Sequence, residues 1–222
     1  PESFVSEIYR MIQVNLKLLN LDKQRKTIVV TSSVPEEGKS TVSANLAAAV
    51  AQTKRRVLLI DGDLRNPSQQ LLWQLSNQTG LSDIISDRLS LTDTVHRPLE
   101  NLSVLTTGQT RANPLSLLDS EEMVALMEEA RYHYDVIIID APPLLVAADV
   151  LTFGKMTDGI LLVSRIGVVE NESAEAAKAT LENCEQKVLG MAINGVEREE
   201  FDRYFYYAKK YYSPLDNIDQ NG

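Results

Sequence analysis

The sequence of 222 residues predicts one α/β domain of three layers, a mostly parallel central sheet with helices on both faces. Three observations lead there. Short, wholly apolar segments such as TIVV (27–30), VLLI (57–60) and VIII (136–139) alternate with helical ones, and strands apolar on both faces belong inside a parallel sheet. Hydrophobic residues make up 44% of the chain, ample for a packed core. Finally, Lys39, Asp61, Asp63 and Asp140 all follow or end apolar segments, and ligands of parallel sheets bind beyond the carboxyl ends of the strands.

The elements follow in order. Phe4, Ile8, Met11, Ile12, Leu16 and Leu19 recur at helical spacing and predict a helix over 3–21, with Ser3 as its N-cap. A strand over 27–33 leads to an alanine-rich helix over 39–54, then to a strand over 56–63 that ends in acids. A short helix over 67–75, a strand over 101–108 and a helix over 120–133 come next. Strands over 135–143 and 159–166, a helix over 171–185 and a strand over 187–194 complete the alternation. Apolar periodicity stops after Val196, so the chain divides into a domain over 1–196 and a flexible tail over 197–222. Five of the eight tyrosines lie in that tail: Tyr204, Tyr206, Tyr207, Tyr211 and Tyr212.

Composition excludes several functions. With 31 acidic and 22 basic residues the net charge is −9, a poor match to nucleic acid phosphates. A lone cysteine, Cys184, rules out an intramolecular disulfide framework and a CxxC metal site. His96 and His133 are too few for a histidine-rich metal centre, and the sequence assigns none of these three a role. No apolar run approaches the ~18 residues of a membrane span. The chain begins at Pro1 rather than Met, as a fragment of a longer protein would.

The chemistry starts at residues 33–41, SVPEEGKST, between an apolar strand and a helix. Gly38, Lys39 and Ser40 meet the end of the G-x-x-x-x-G-K-[ST] phosphate loop, although Ser33 stands at its first glycine. In a P-loop NTPase fold, main-chain N–H groups from Glu37 to Thr41 would cradle phosphates. Lys39 would reach the β and γ oxygens of ATP, and the Ser40 hydroxyl would ligate Mg²⁺. Asp61 and Asp63 close one strand as D-G-D and Asp140 closes another. Carboxylates placed so can hold the water shell of Mg²⁺. Arg65 would contact phosphate or pair with a neighbouring acid. Asn194 would meet the adenine or form an Asn-Gly turn with Gly195.

Together TSSVPEEGKST, VLLIDGDLRNP and VIIIDAPP resemble the Walker A, A′ and B motifs of the bacterial tyrosine kinases. The resemblance extends to GLSDII (80–85), ANPLSLL (112–118) and the tyrosine cluster. It implies a kinase domain over 1–196 using ATP and Mg²⁺, with Lys39, Asp61, Asp63 and Asp140 as its catalytic residues. Asp61 would be the acid nearest the incoming phenol, and Asp63 and Asp140 would orient the metal. The implied reaction is phosphorylation of the tail tyrosines, from one protomer to the next.

The resemblance further implies a cytoplasmic domain attached to or associated with the inner or plasma membrane. Its partner there would be a transmembrane polysaccharide co-polymerase segment, fused or separate, and a protein-tyrosine phosphatase would oppose it. An E-x-x-R-x-x-R string in the family's first helix assembles protomers into a ring; here it reads Glu7, Arg10, Gln13, with the last charge gone. Related partitioning and septum-site ATPases carry a signature lysine where this chain has Val34. A dimerisation-switching ATPase and a non-catalytic ATP-sensing subunit are the alternatives.

Overall fold

The computed structural model describes residues 4–18, 26–109, 113–183, 185 and 187–196. The predicted tail, Ser3 and Cys184 lie outside them. The helix expected first is α1 (Phe4–Leu18), which packs on α2 (Lys39–Ala51). The strands are β1 (Lys26–Ser32), β2 (Val57–Asp61), β3 (His96–Leu99), β4 (Leu102–Leu105), β5 (Val136–Asp140), β6 (Gly159–Arg165) and β7 (Val188–Asn194). They form one sheet in the order β3-β4-β2-β5-β1-β6-β7. Every pairing is parallel except that of β3 with β4.

β1, β2, β4 and β5 are buried along their whole length, which is why their sequences do not alternate. Two apolar layers flank the sheet. One packs Leu46, Ala47 and Val50 of α2 against Ile28, Leu59 and Ile138. The other packs Met123, Leu126 and Met127 of α7 (Glu121–His133), with Phe153 of α8 (Asp149–Lys155), against Leu58, Ile60 and Ile139. Helix α9 (Asn171–Asn183) adds Ala177 and Leu181 to the second layer.

The sequence reading omitted β3 and four short helices: α4 (Leu81–Asp87), α5 (Leu91–Thr94), α6 (Pro114–Leu118) and α8. All are seven residues or fewer, too short for a period to show. Their signals lie in single residues instead. Asn113 caps α6 by accepting the Leu115 N–H, with Pro114 in the first turn. Pro98 suits β3 because that strand is a sheet edge.

Helix α1 corrects one expectation. Glu7 and Arg10 pair at 3.1 Å on a part-exposed face, but Gln13 is buried, 6% exposed, and turned toward Leu16 and Lys26. Each step of three residues rotates the direction by about 60°, so Gln13 points about 120° away from Glu7. Gln13 therefore does not share the exposed face of Glu7 and Arg10. Met11, expected on the apolar face, is 61% exposed instead. Among the described residues no helix is long and apolar enough to cross a membrane.

Candidate active site

The loop between β1 and α2 is held by the side chain of Glu37. Its Oε1 accepts the Val34 N–H at 2.8 Å and its Oε2 accepts the Arg165 N–H at 3.1 Å. Glu37 is wholly buried, so this carboxylate shapes the loop from within. Gly38 follows with φ +92°, and a Cβ there would stand 2.2 Å from Asn194 Nδ2. Only glycine fits both the backbone and the close approach. Asn194 itself, the last residue of β7, donates from Nδ2 to the Glu37 carbonyl at 3.0 Å and accepts the Gly195 N–H on its own Oδ1. The Asn-Gly turn and the loop contact are thus made by one side chain.

Sheet register brings the acids together. β2 and β5 are parallel neighbours in which Asp61 pairs with Asp140, so the last residues of both strands emerge side by side. Lys39, at the start of α2, reaches across to them. Its Nζ lies 2.9 Å from Asp63 Oδ2, 3.7 Å from Asp140 Oδ1 and 3.1 Å from Ser40 Oγ. Burial alone would push Lys39 down, but Asp140 and then Asp63 outweigh it and hold the ammonium above its ordinary value. Asp140 is pushed up by burial, against the pull of Lys39 and a hydrogen bond from Gln69.

Above these groups opens a cavity of about 320 Å³ lined by Gly38, Lys39, Ser40, Thr41, Asp63 and Arg65, with Pro142, Pro143 and Val146 on its far wall. The donor set fits a hard divalent cation. A hydroxyl oxygen and two carboxylates already surround one positive charge, the Lys39 ammonium, and oxygen ligands are what Mg²⁺ selects.

Asp61 departs from its expected place. It is wholly buried and is not part of the cavity wall, where Asp63 stands instead. Its Oδ2 accepts the N–H groups of Ser68 at 2.9 Å and Gln69 at 2.8 Å, and its Oδ1 accepts that of Asp63 at 3.3 Å. The Gly62 N–H donates to the Asp140 carbonyl at 2.8 Å, so the D-G-D segment continues along the end of β5. Burial, and then the charge of Asp140, push the Asp61 carboxyl up to about 7.

That value has a consequence for stability. An unfolded aspartate titrates near ~3.9, so between that pH and about 7 the folded protein holds a proton that the unfolded chain has released. Stability therefore falls as pH rises through this window. Asp61→Asn keeps an oxygen for the Ser68 and Gln69 N–H groups and cannot ionise. Its melting temperature at pH 8 is expected to exceed the wild type's by about 5–10 °C, with little difference at pH 4. Parallel melting curves of the two proteins across that range would refute the buried titration.

Arg65 is paired with Asp149, NH2 to Oδ1 at 3.3 Å, while still lining the cavity. Asp149, fully buried at the start of α8, went unnoticed in the sequence, as did Gln69, whose side chain donates to Asp140 at 2.8 Å. Nothing in the local sequence marks either, since each is defined by its partner.

Comparisons with known proteins agree with this geometry. A family model described as an AAA domain matches residues 25–189. The tyrosine-protein kinase YwqD of Bacillus subtilis is 41% identical over 95% of this chain and 89% of its own length. The chain belongs to the bacterial tyrosine kinases. The tyrosine-protein kinase etk of Escherichia coli K12 is 31% identical over 93% of this chain, which spans 28% of that protein. Among solved structures, the chimerical protein CapA2B2 superposes with a TM-score of 0.85 at 32% identity, covering 89% of this chain and 88% of that one. The septum site-determining protein MinD of Pyrococcus horikoshii, complexed with Mg-ADP, has a TM-score of 0.64 at 21% identity over 80% of this chain and 76% of its own, a likeness of fold.

Proposed function

We propose that this kinase transfers the γ-phosphoryl group of ATP to tyrosines of its own C-terminal cluster, Tyr204, Tyr206, Tyr207, Tyr211 and Tyr212, in trans between protomers. The observation that carries the reading is the Lys39 ammonium set between Asp63 and Asp140 beneath an open cavity. The names of its relatives supply the acceptor class.

In this reading the loop N–H groups of residues 37–41 hold the phosphates, and Lys39 turns from the acids to the β and γ oxygens. Ser40, with Asp63 and Asp140 through water, would hold Mg²⁺, which when bound neutralises charge on the phosphates. Arg65, steered by Asp149, is placed to reach phosphate from the cavity rim. Asn194 serves the nucleotide by holding the loop beside it.

A phenol of pKa ≈ 10 must lose its proton as it attacks. Asp63 lies on the wall where that phenol would enter, and Asp61, able to hold a proton near neutrality, lies directly beneath. Asp63 is therefore the carboxylate nearest the acceptor and the one to take its proton.

Wider roles follow the relatives. We read the chain as the kinase part of a polysaccharide co-polymerase system at the cytoplasmic face of a membrane, opposed by a phosphatase and assembling as a homo-oligomer. Glu7 and Arg10 remain available to such an interface, whereas Gln13 faces the domain interior. Trans transfer is tested by mixing two variants. Lys39→Met protein with an intact tail is combined with protein whose five tail tyrosines are Phe, and Mg·ATP is added. Phosphotyrosine is expected on the Lys39→Met chain; none there, with wild type active alone, would mean that transfer stays within one chain.

A further inference from the structure

The three motifs of the active site meet on a residue that belongs to none of them. Gln69 is the first residue of α3 (Gln69–Leu72) and is wholly buried. Its main-chain N–H donates to Asp61 Oδ2 at 2.8 Å. Its Nε2 donates to Asp140 Oδ2 at 2.8 Å and to the Ser40 carbonyl at 3.0 Å. Its Oε1 accepts the indole N–H of Trp73 at 3.2 Å. One residue thus touches the D-G-D acid through its main chain, and the acid of β5 and the first turn of α2 through its side-chain amide.

We propose that Gln69 is a positioning residue for phosphoryl transfer, and that it ties the metal-binding carboxylate to Trp73. By taking Oδ2, Gln69 leaves Asp140 with Oδ1 directed at Ser43 Oγ (3.4 Å) and Lys39 Nζ (3.7 Å). That is the oxygen turned toward Ser40 and the phosphate loop. A carboxylate free to rotate would present either oxygen, and the pull of Lys39 alone does not choose between them. The second bond, to the Ser40 carbonyl, holds the same amide against the turn that carries the Ser40 hydroxyl. Asp140 and Ser40 are therefore fixed relative to each other before any nucleotide arrives, which is the form of preorganisation that electrostatic catalysis needs.

The link to Trp73 follows from the amide's rigidity. Any shift of Asp140 or Ser40 on binding Mg²⁺ moves Nε2, and Oε1 moves with it. Trp73 is the only tryptophan of the chain and is half-buried, so the protein's tryptophan emission comes from the indole that makes this hydrogen bond.

The inference rests on the kinase reading for its activity arm only. The experiment follows Trp73 emission while wild type and Gln69→Leu are titrated with ADP, with and without Mg²⁺, alongside calorimetry and circular dichroism. Wild-type emission is expected to change with Mg·ADP and much less with ADP in EDTA. In Gln69→Leu, similar in size but without donors, affinity for Mg·ADP should fall about 10–100-fold while that for ADP alone stays close. Its Trp73 emission should no longer respond to the metal, and its kcat should fall by a similar factor while KM for Mg·ATP rises with the lost affinity.

An unchanged metal preference and kcat in folded Gln69→Leu would overturn the positioning role. Should that variant fail to fold, the wild type still decides: emission indifferent to Mg·ADP at saturation overturns the coupling. Wild type that never forms phosphotyrosine while its Trp73 responds to Mg·ADP would sink the kinase reading and leave this inference standing.

Discussion

Lys39→Met protein incubated with Mg·ATP is expected to lose tyrosine phosphorylation by on the order of 10³-fold. Lys39 is the one cation within 4 Å of both Asp63 and Asp140 among the described residues. The substitution also strips three buried acids of their counter-charge. Without it the carboxyls of Asp61 and Asp140, already raised by burial, rise further, the folded state binds more protons than the unfolded chain, and stability drops as pH rises. Loss of activity and loss of fold are separated by melting the variant at pH 6 and at pH 8. It should be folded at pH 6 and still inactive. Phosphorylation at the wild-type rate would remove Lys39 from the mechanism.

Replacing all five tail tyrosines with Phe is expected to abolish incorporated phosphate while leaving ATP binding intact. Each change removes a single phenolic oxygen, and none falls on the described domain. Each phosphate adds about −1.5 to −2 of charge, so full modification adds about −7.5 to −10 to a chain that starts at −9. Native electrophoresis of wild type after Mg·ATP should show a ladder of faster bands, and the five-fold variant a single band. Such a charge, gathered within residues 204–212, is expected to repel neighbouring tails and favour release of the proposed oligomer. Phosphate persisting at Tyr9, Tyr132 or Tyr134 would place the acceptors elsewhere.

Local pattern explains what could be read early. Apolar runs bounded by turns mark β1, β2 and β5 whatever surrounds them, because a strand buried on both faces needs no partner to declare itself. Gly38, Lys39 and Ser40 are legible for a similar reason, since a phosphate loop works through consecutive residues. Short elements carry too few residues for a period, so β3 and the helices from α4 to α6 did not stand out. Helix α1 shows a subtler failure: its extent is a matter of spacing, but the inward turn of Gln13 depends on which face meets α2.

The sequence by itself determined the parallel α/β architecture, the phosphate loop and the identity of the acids, because each is encoded within a few adjacent residues. Tertiary structure alone decided how those acids stand. Asp61 is buried, whereas Asp63 lines the cavity. Arg65 pairs with Asp149, 84 residues away, and Gln69 grips Asp140 across 71 residues. No local pattern can announce such pairs: burial makes an unpartnered polar group costly, and only the folded sheet supplies the partner that removes the cost.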